Sequence, residues 1–589
     1  MAAPPFALQL DPKLRRILHY LKPHRRAVLL GAIALVVVNL LGVSLPLLVR
    51  RAIDNLQGDF ALRDVLNQAA LIIGLASLMA LVRLLSRMLV FGVGRQVEAD
   101  LKQRIFNHLL RQEPGWVQST GSGEVISRAT SDVENIRRLL GFAVLSLTNT
   151  GLAYALTLPA MLAIDPLLTL AALGLYPLML LTVRLFGGRM MRQQRRQQEA
   201  LAQLSDLIQE DLSGIGAIKI YGQEPMEQEA FDQRNRLYRD AALGLGRTRS
   251  TLFPLLEGIA SLSLLLLLAI GSTQIESGRL SIGELVALIL YVERLVFPTA
   301  LLGFTLNTFQ TGQVSLDRVE ALLHRDPLVQ SPAQPLPPAR PTRGEVEARG
   351  LTIRYSPSGR PTLDGLSFRL AAGELVAVVG PVGCGKTTLA RALGRMVEVP
   401  ANQLFLDGVD ITRLELDALR RQVALVPQEG YLFTATLADN LRYGDPDASM
   451  EQVERAAHLA RLEDDVKGFP DGFATLVGER GITLSGGQRQ RTALGRALLV
   501  EAPLLVLDDA LASVDNTTAA AILASVRQQR DRTVLMISHQ LSAAAACDRI
   551  LVLDEGRLVQ EGSHRQLLEQ PGAYRRLWER EQAEQLQAA

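Results

Sequence analysis

The sequence predicts a two-part chain: six membrane-spanning helices that extend into the cytosol, followed by an α/β domain built around a glycine-rich loop. Three observations carry this prediction. Residues 1–320 hold long apolar runs, and residues 345–589 alternate apolar and polar as a water-soluble domain does. Between them lies the proline-rich stretch Ser331–Glu345 (SPAQPLPPARPTRGE), a composition that favours an extended linker. In the second half, the apolar run Gly373–Gly380 leads straight into GPVGCGKT and then a helical pattern. The expected division is a membrane domain over 1–325, a linker over 326–345 and an α/β domain over 346–589.

At 589 residues the chain exceeds one ordinary domain. A net charge of +2 with 21% charged residues argues against a disordered chain and against a dedicated nucleic-acid binder. The two cysteines, Cys384 and Cys547, form neither a metal-ligand spacing nor a disulfide framework, and a reducing cytosol suits the second half.

Six apolar stretches, near 27–49, 67–93, 138–163, 166–187, 252–273 and 284–309, are each close to the roughly 20 residues that cross a bilayer core. Arg83 and Arg87 interrupt the second and are expected to pair or to snorkel near a helix end. Glu257, Glu293 and Arg294 are the candidates for lining a polar cavity, because charge inside a span is costly and turns away from lipid. Lys13, Arg15, Arg16, Lys22, Arg25 and Arg26 precede the first span, and Arg184, Arg189, Arg192, Arg195 and Arg196 gather after the start of the fourth. The positive-inside rule therefore places the N-terminus and the two long polar gaps in the cytoplasm. The first run is too long for a signal-peptide core and is read as a retained span. Helical periodicity persists through both gaps, as in VEADLKQRIFNHLL and EALAQLSDLIQEDL, so the spans continue as helices beyond the membrane.

In the second half, Gly380, Gly383 and Gly385 let backbone N–H groups wrap phosphates at the start of a helix, whose dipole adds positive potential. Lys386 reaches the β and γ phosphates, Thr387 holds Mg²⁺, and Thr388 belongs to the same nucleotide-binding group. LLVLD ends a second apolar strand at Asp508, a further Mg²⁺ ligand. LSGGQ, Leu484–Gln488, opens the helix QRQRTALGRALL with a serine and paired glycines, Ser485, Gly486 and Gly487, and forms a second anion site.

These motifs together resemble the nucleotide-binding domain of the ATP-binding cassette (ABC) family, over roughly the last 250 residues. The resemblance implies that Tyr355 stacks on adenine and that Gln428 contacts Mg²⁺ and the attacking water. It implies that His539 meets the γ-phosphate, that Gln488 completes the signature, and that Asp515 crosses the interface between two cassettes. The segment TLVGERG resembles the exporter-type loop before the signature, and Gly121–Ile136 and Ile218–Phe231 are similar to the coupling segments of exporter half-transporters. Because the signature of one cassette meets the ATP of another, a second chain is implied.

Asp509 departs from the family pattern, in which a glutamate follows the Mg²⁺ aspartate as catalytic base. Its carboxylate is shorter by one methylene, roughly 1.5 Å. LDDALASVD resembles the half of bacterial heterodimeric exporters that carries a degenerate site and lends its intact signature to the partner. What the resemblance implies is ATP- and Mg²⁺-dependent efflux of hydrophobic or amphipathic compounds across the bacterial inner membrane, with catalytic roles at Asp509, His539 and Gln428. A homodimeric lipid flippase, a peptide exporter and a mainly regulatory ATP-binding subunit stay open. The six spans exclude a soluble ABC ATPase.

Overall fold

The computed structural model describes residues 12–56, 61–339, 342–356, 359–528 and 531–588. The chain forms two compact units, Met1–Leu110 with Gly121–Arg325, and Arg111–Thr120 with Asp326–Ala589.

The first unit is built from six helical stretches long and apolar enough to cross a membrane: Arg15–Asn55, Leu62–Leu109, Ser122–Ile164, Pro166–Ser213, Glu224–Glu276 and Ile282–Leu323. Each runs 41 to 53 residues, about twice what the hydrocarbon requires, so the periodicity in the polar gaps is indeed helix. The turn of the first gap is a short helix, Pro114–Thr120, just ahead of Gly121–Ile136, which already forms the foot of the third stretch. The turn of the second gap is the helix Ile215–Tyr221, closed by Gly222 in the left-handed conformation at φ 62°. The first two spans pack closely where Gly31 meets Val90, and Ser86 Oγ donates to the Gly31 carbonyl at 3.1 Å. A Cβ at Gly31 would lie 2.7 Å from Val90, so a larger residue there would wedge the helices apart.

Glu293 and Arg294 part company on the sixth span. Arg294 Nη2 donates to the Asn39 carbonyl at 3.2 Å and to Asn39 Oδ1 at 3.1 Å, and its guanidinium fills the space left open by Gly42. Asn39 in turn donates to Asn149 Oδ1 at 3.1 Å, tying spans one, three and six together. Glu293 is exposed on another face, as is Glu257 on the fifth span. Arg83 and Arg87 are exposed, and Arg83 reaches Met79 Sδ at 3.7 Å.

In the second unit the strands are β1 Val346–Ile353, β2 Leu363–Leu370, β3 Leu375–Val379, β4 Leu404–Leu406, β5 Val409–Asp410, β6 Val423–Val426, β7 Leu504–Asp508, β8 Thr533–Ile537, β9 Arg549–Asp554 and β10 Arg557–Gly562. One sheet has the order β2-β1-β4-β5 and is antiparallel; the other runs β10-β9-β3-β8-β7-β6 and is parallel except for the β9–β10 hairpin. β3, β7 and β8 are buried along their whole length, which is why they read as unbroken apolar runs. Helices Leu437–Arg442, Met450–Leu459 and Glu463–Gly468 pack with Gly486–Leu499 as a helical subdomain.

The proline-rich stretch is extended but not loose. Leu336 N–H donates to the Arg413 carbonyl at 2.8 Å, Leu416 N–H to Ser331 Oγ at 3.1 Å, and Glu345 N–H to Asp407 Oδ1 at 2.9 Å. Polar contacts thus supply the anchorage that its few apolar side chains do not.

Candidate functional site

Three of the parallel strands end at the site. β3 runs into the loop Gly380–Gly385, β7 ends at Asp508, and β8 leads to His539, so one sheet edge gathers all three motifs. Two glycines of the loop are obligatory on steric grounds. A Cβ on Gly380 would lie 2.1 Å from the Leu553 carbonyl, and one on Gly385 would lie 2.7 Å from the Thr362 carbonyl with φ at +102°. Gly383, at φ +83°, faces open space and is needed for conformation alone.

Lys386, 5% exposed, begins the helix Lys386–Leu393 and folds its ammonium back over the loop. Its Nζ donates to the carbonyls of Gly380 at 2.8 Å and Pro381 at 2.9 Å. These partners are neutral, so the charge is buried without being cancelled and is placed for a phosphate. Cys384 Sγ lies 3.8 Å from that Nζ; the thiol is 4% exposed, and burial pushes its pKa up despite the lysine.

Thr387 Oγ1 donates to Asp508 Oδ1 at 3.2 Å, bringing the two expected Mg²⁺ ligands together. Asp508 and Asp509 are 4% and 8% exposed. Burial, and then the charge of Asp509, hold the Asp508 carboxyl above the usual range, against the Thr387 hydrogen bond that lowers it. Two adjacent buried carboxylates beside a hydroxyl suit a hard divalent cation, which would offset that repulsion.

Asp509 itself is turned inward. Its backbone sits at φ +51°, a left-handed conformation that aspartate tolerates better than most residues. Its Oδ1 accepts the backbone N–H of His539 at 3.3 Å, and its Oδ2 accepts Gln428 Nε2 at 3.5 Å. The three residues expected to act in catalysis are therefore assembled around one carboxylate. The Gln428 and His539 side chains remain exposed, free to meet a ligand. Tyr355, 57% exposed, is linked to the loop by a 3.2 Å hydrogen bond between its hydroxyl and Thr388 Oγ1.

The signature is a helix N-terminus of a defined kind. Ser485 caps Gly486–Leu499 in a capping box: Gln488 N–H donates to Ser485 Oγ at 3.2 Å, and Ser485 N–H to Gln488 Oε1 at 2.8 Å. Gln488 Nε2 also donates to Asp465 Oδ1 at 3.0 Å, and Asp465 pairs with Arg491 at 2.8 Å. Nothing local in the sequence marks Asp465, since its role arises only from the packing of the helical subdomain. A Cβ on Gly487 would lie 2.9 Å from the Ser513 carbonyl, which explains its glycine. Asp515 accepts from Thr517 Oγ1 and from Thr518 N–H at 2.9 Å, contacts that hold its carboxyl well below the usual range. Within this chain its carboxylate serves the first turn of the helix Asn516–Gln528.

Comparison with known proteins agrees with this geometry. The family profile described as ABC transporter transmembrane region matches residues 28–299, and that described as ABC transporter matches 363–512. The multidrug resistance-like ATP-binding protein MdlA of Escherichia coli K12 is 31% identical, over 94% of each chain. An ATP-dependent lipid A-core flippase of Chromohalobacter salexigens is 32% identical, over 95% of this chain and 96% of its own. Among solved structures, a bacterial Atm1-family ABC exporter with ATP bound superposes with a TM-score of 0.76 at 29% identity, over 95% of this chain and 98% of the other.

Proposed function

Given that this chain belongs to the ABC transporter family, as a multi-pass inner-membrane protein with a cytoplasmic ATPase domain, we propose that it is the degenerate-site half of a heterodimeric exporter of hydrophobic or amphipathic compounds. The observation that carries this reading is the commitment of the Asp509 carboxylate to His539 and Gln428.

ATP and Mg²⁺ are the ligands of this ATPase domain. Gly380–Gly385 and Lys386 would cradle the phosphates, and Thr387 and Asp508, with Gln428 beside them, would hold Mg²⁺. Bound Mg²⁺ neutralises phosphate charge. Lys386 orients the β and γ phosphates, Tyr355 offers a ring to the adenine, and His539 presents its imidazole toward the γ-phosphate. A water-activating carboxylate must reach past the phosphates. Asp509 is one methylene short and already accepts two hydrogen bonds, and a misplacement near 1 Å costs about 10²-fold in rate. Its own site therefore binds ATP and hydrolyses it slowly. Ser485, Gly486, Gly487 and Gln488 are intact, and in this reading they complete the partner's site, where a glutamate base acts; Asp515 lies at that interface. ATP drives export only through its higher affinity for the closed pair of cassettes.

The test is expression of the tagged chain with its genomic neighbours. Co-purification of a second half-transporter is expected, with turnover nearly abolished by Ser485→Arg and largely kept by Asp509→Asn. A dimer of this chain alone with full transport-coupled ATPase activity that Asp509→Asn destroys would overturn the proposal. The flippase relative supports a second reading, a homodimer that moves lipid, and that same result would favour it.

A further inference from the structure

The helix Ala573–Ala588 has a polar sequence with no evident task, yet it is anchored tightly at its start. Tyr574 is fully buried, and its hydroxyl lies 2.7 Å from His564 Nδ1. Its backbone N–H donates to Gln560 Oε1 at 2.9 Å, and Trp578 stacks on Tyr574 and lies tilted against His564. Ala573, Leu577 and Trp578 pack on the core that contains Leu541, Ala543 and Ala544, the short helix directly after His539. One turn further on, Glu581 Oε2 accepts the backbone N–H of Leu541 at 2.9 Å.

The consequence appears when the loop is followed residue by residue. Three successive backbone N–H groups each find a side-chain acceptor: His539 on Asp509 at 3.3 Å, Gln540 on Ser538 Oγ at 3.0 Å, and Leu541 on Glu581 at 2.9 Å. Ser538 is the loop's own residue, so the outside constraints are two carboxylates, one from the nucleotide site and one from the C-terminal helix. The His539 side chain is exposed between them. No partner is seen for the ring itself among the described residues, so what these bonds hold is the backbone from which the ring projects.

We propose that Glu581 is a positioning residue for nucleotide recognition: it fixes the backbone after His539 so that the imidazole stands ready for the γ-phosphate, making the C-terminal helix part of the ATP site. This inference rests on the reading of His539 as the γ-phosphate contact. A group that meets only the γ-phosphate separates ATP from ADP, and a loosened loop loses that separation while leaving the adenine and β-phosphate contacts intact.

The experiment is photolabelling of this chain, in the complex as purified, with an azido-ATP probe competed by ATP or by ADP. Glu581→Ala is expected to lower the preference for ATP over ADP by roughly three- to tenfold, the size of one lost hydrogen bond, with ADP competition unchanged. Glu581→Gln keeps an acceptor oxygen and is expected to restore the preference. His539→Ala separates the two ideas. If it leaves the ATP preference intact, the reading of His539 fails. If it removes the preference while Glu581→Ala does not, or if Glu581→Ala weakens ATP and ADP equally, the positioning role of Glu581 is overturned.

Discussion

The carboxylate of Asp509 accepts the backbone N–H of His539 at 3.3 Å, so the residue after Asp508 holds the loop that carries His539. This bond joins the end of β7 to the end of β8, and it is made by a residue whose backbone is itself left-handed.

Asp509→Asn should therefore leave the fold intact, since an amide oxygen still accepts from His539. Asp509→Ala should cost about 1 kcal/mol by orphaning that N–H. Thermal melting of the two variants side by side checks this. Equal melting temperatures would mean that the bond contributes nothing.

Asp508 has the opposite character, a buried carboxylate whose charge opposes folding. Its pKa is raised by burial and then by Asp509, so the folded state holds its proton more tightly than the unfolded chain does. Stability is then lost as pH rises from the ordinary aspartate value through the raised folded one, and the full penalty is present at neutral pH. Asp508→Asn should melt higher than the parent at pH 7.5, while ATP binding at this chain's own site loses its dependence on Mg²⁺. The gap should narrow toward pH 4. A gap independent of pH would show that the carboxyl is not the cause.

Lys386→Ala should remove most ATP photolabelling of this chain, because the ammonium over the loop is gone. Gly385→Ala should do the same by another route: the new Cβ meets the Thr362 carbonyl at 2.7 Å, in a backbone conformation costing about 1–3 kcal/mol for a side chain. It should also melt earlier, whereas Lys386→Ala should not. Unchanged labelling of either variant would count against the phosphate cradle.

Both cysteines are free and buried, with pKa values raised by desolvation, Cys547 to about 12. Maleimide should modify neither at an appreciable rate at pH 7 until the chain is denatured, when both should react. Mass spectrometry of the labelled peptides reads this out. Rapid native labelling of Cys384, blocked by ATP, would mean that the loop opens far more than its packing implies.

The sequence by itself determined the parts whose physics is local. A span must be long and apolar, a phosphate loop must be glycine-rich between a strand and a helix, and a parallel core strand reads as an unbroken apolar run; all of these lie in consecutive residues. Gly380, Lys386 and Ser485 could be placed at their loop and helix starts because their neighbours in sequence are also their neighbours in space. The tertiary structure decided what depends on pairing across the chain. Arg294 looked like a cavity residue beside Glu293, but its place is set by Asn39, 255 positions away. Asp465 beneath the signature and Glu581 behind the His539 loop carry no local mark, because each meets a backbone or amide brought to it by folding. The chemistry of Asp509 was half legible. Its shortened side chain is written in the sequence, but the inward turn that commits it to His539 depends on two strands lying side by side, which only the assembled sheet provides.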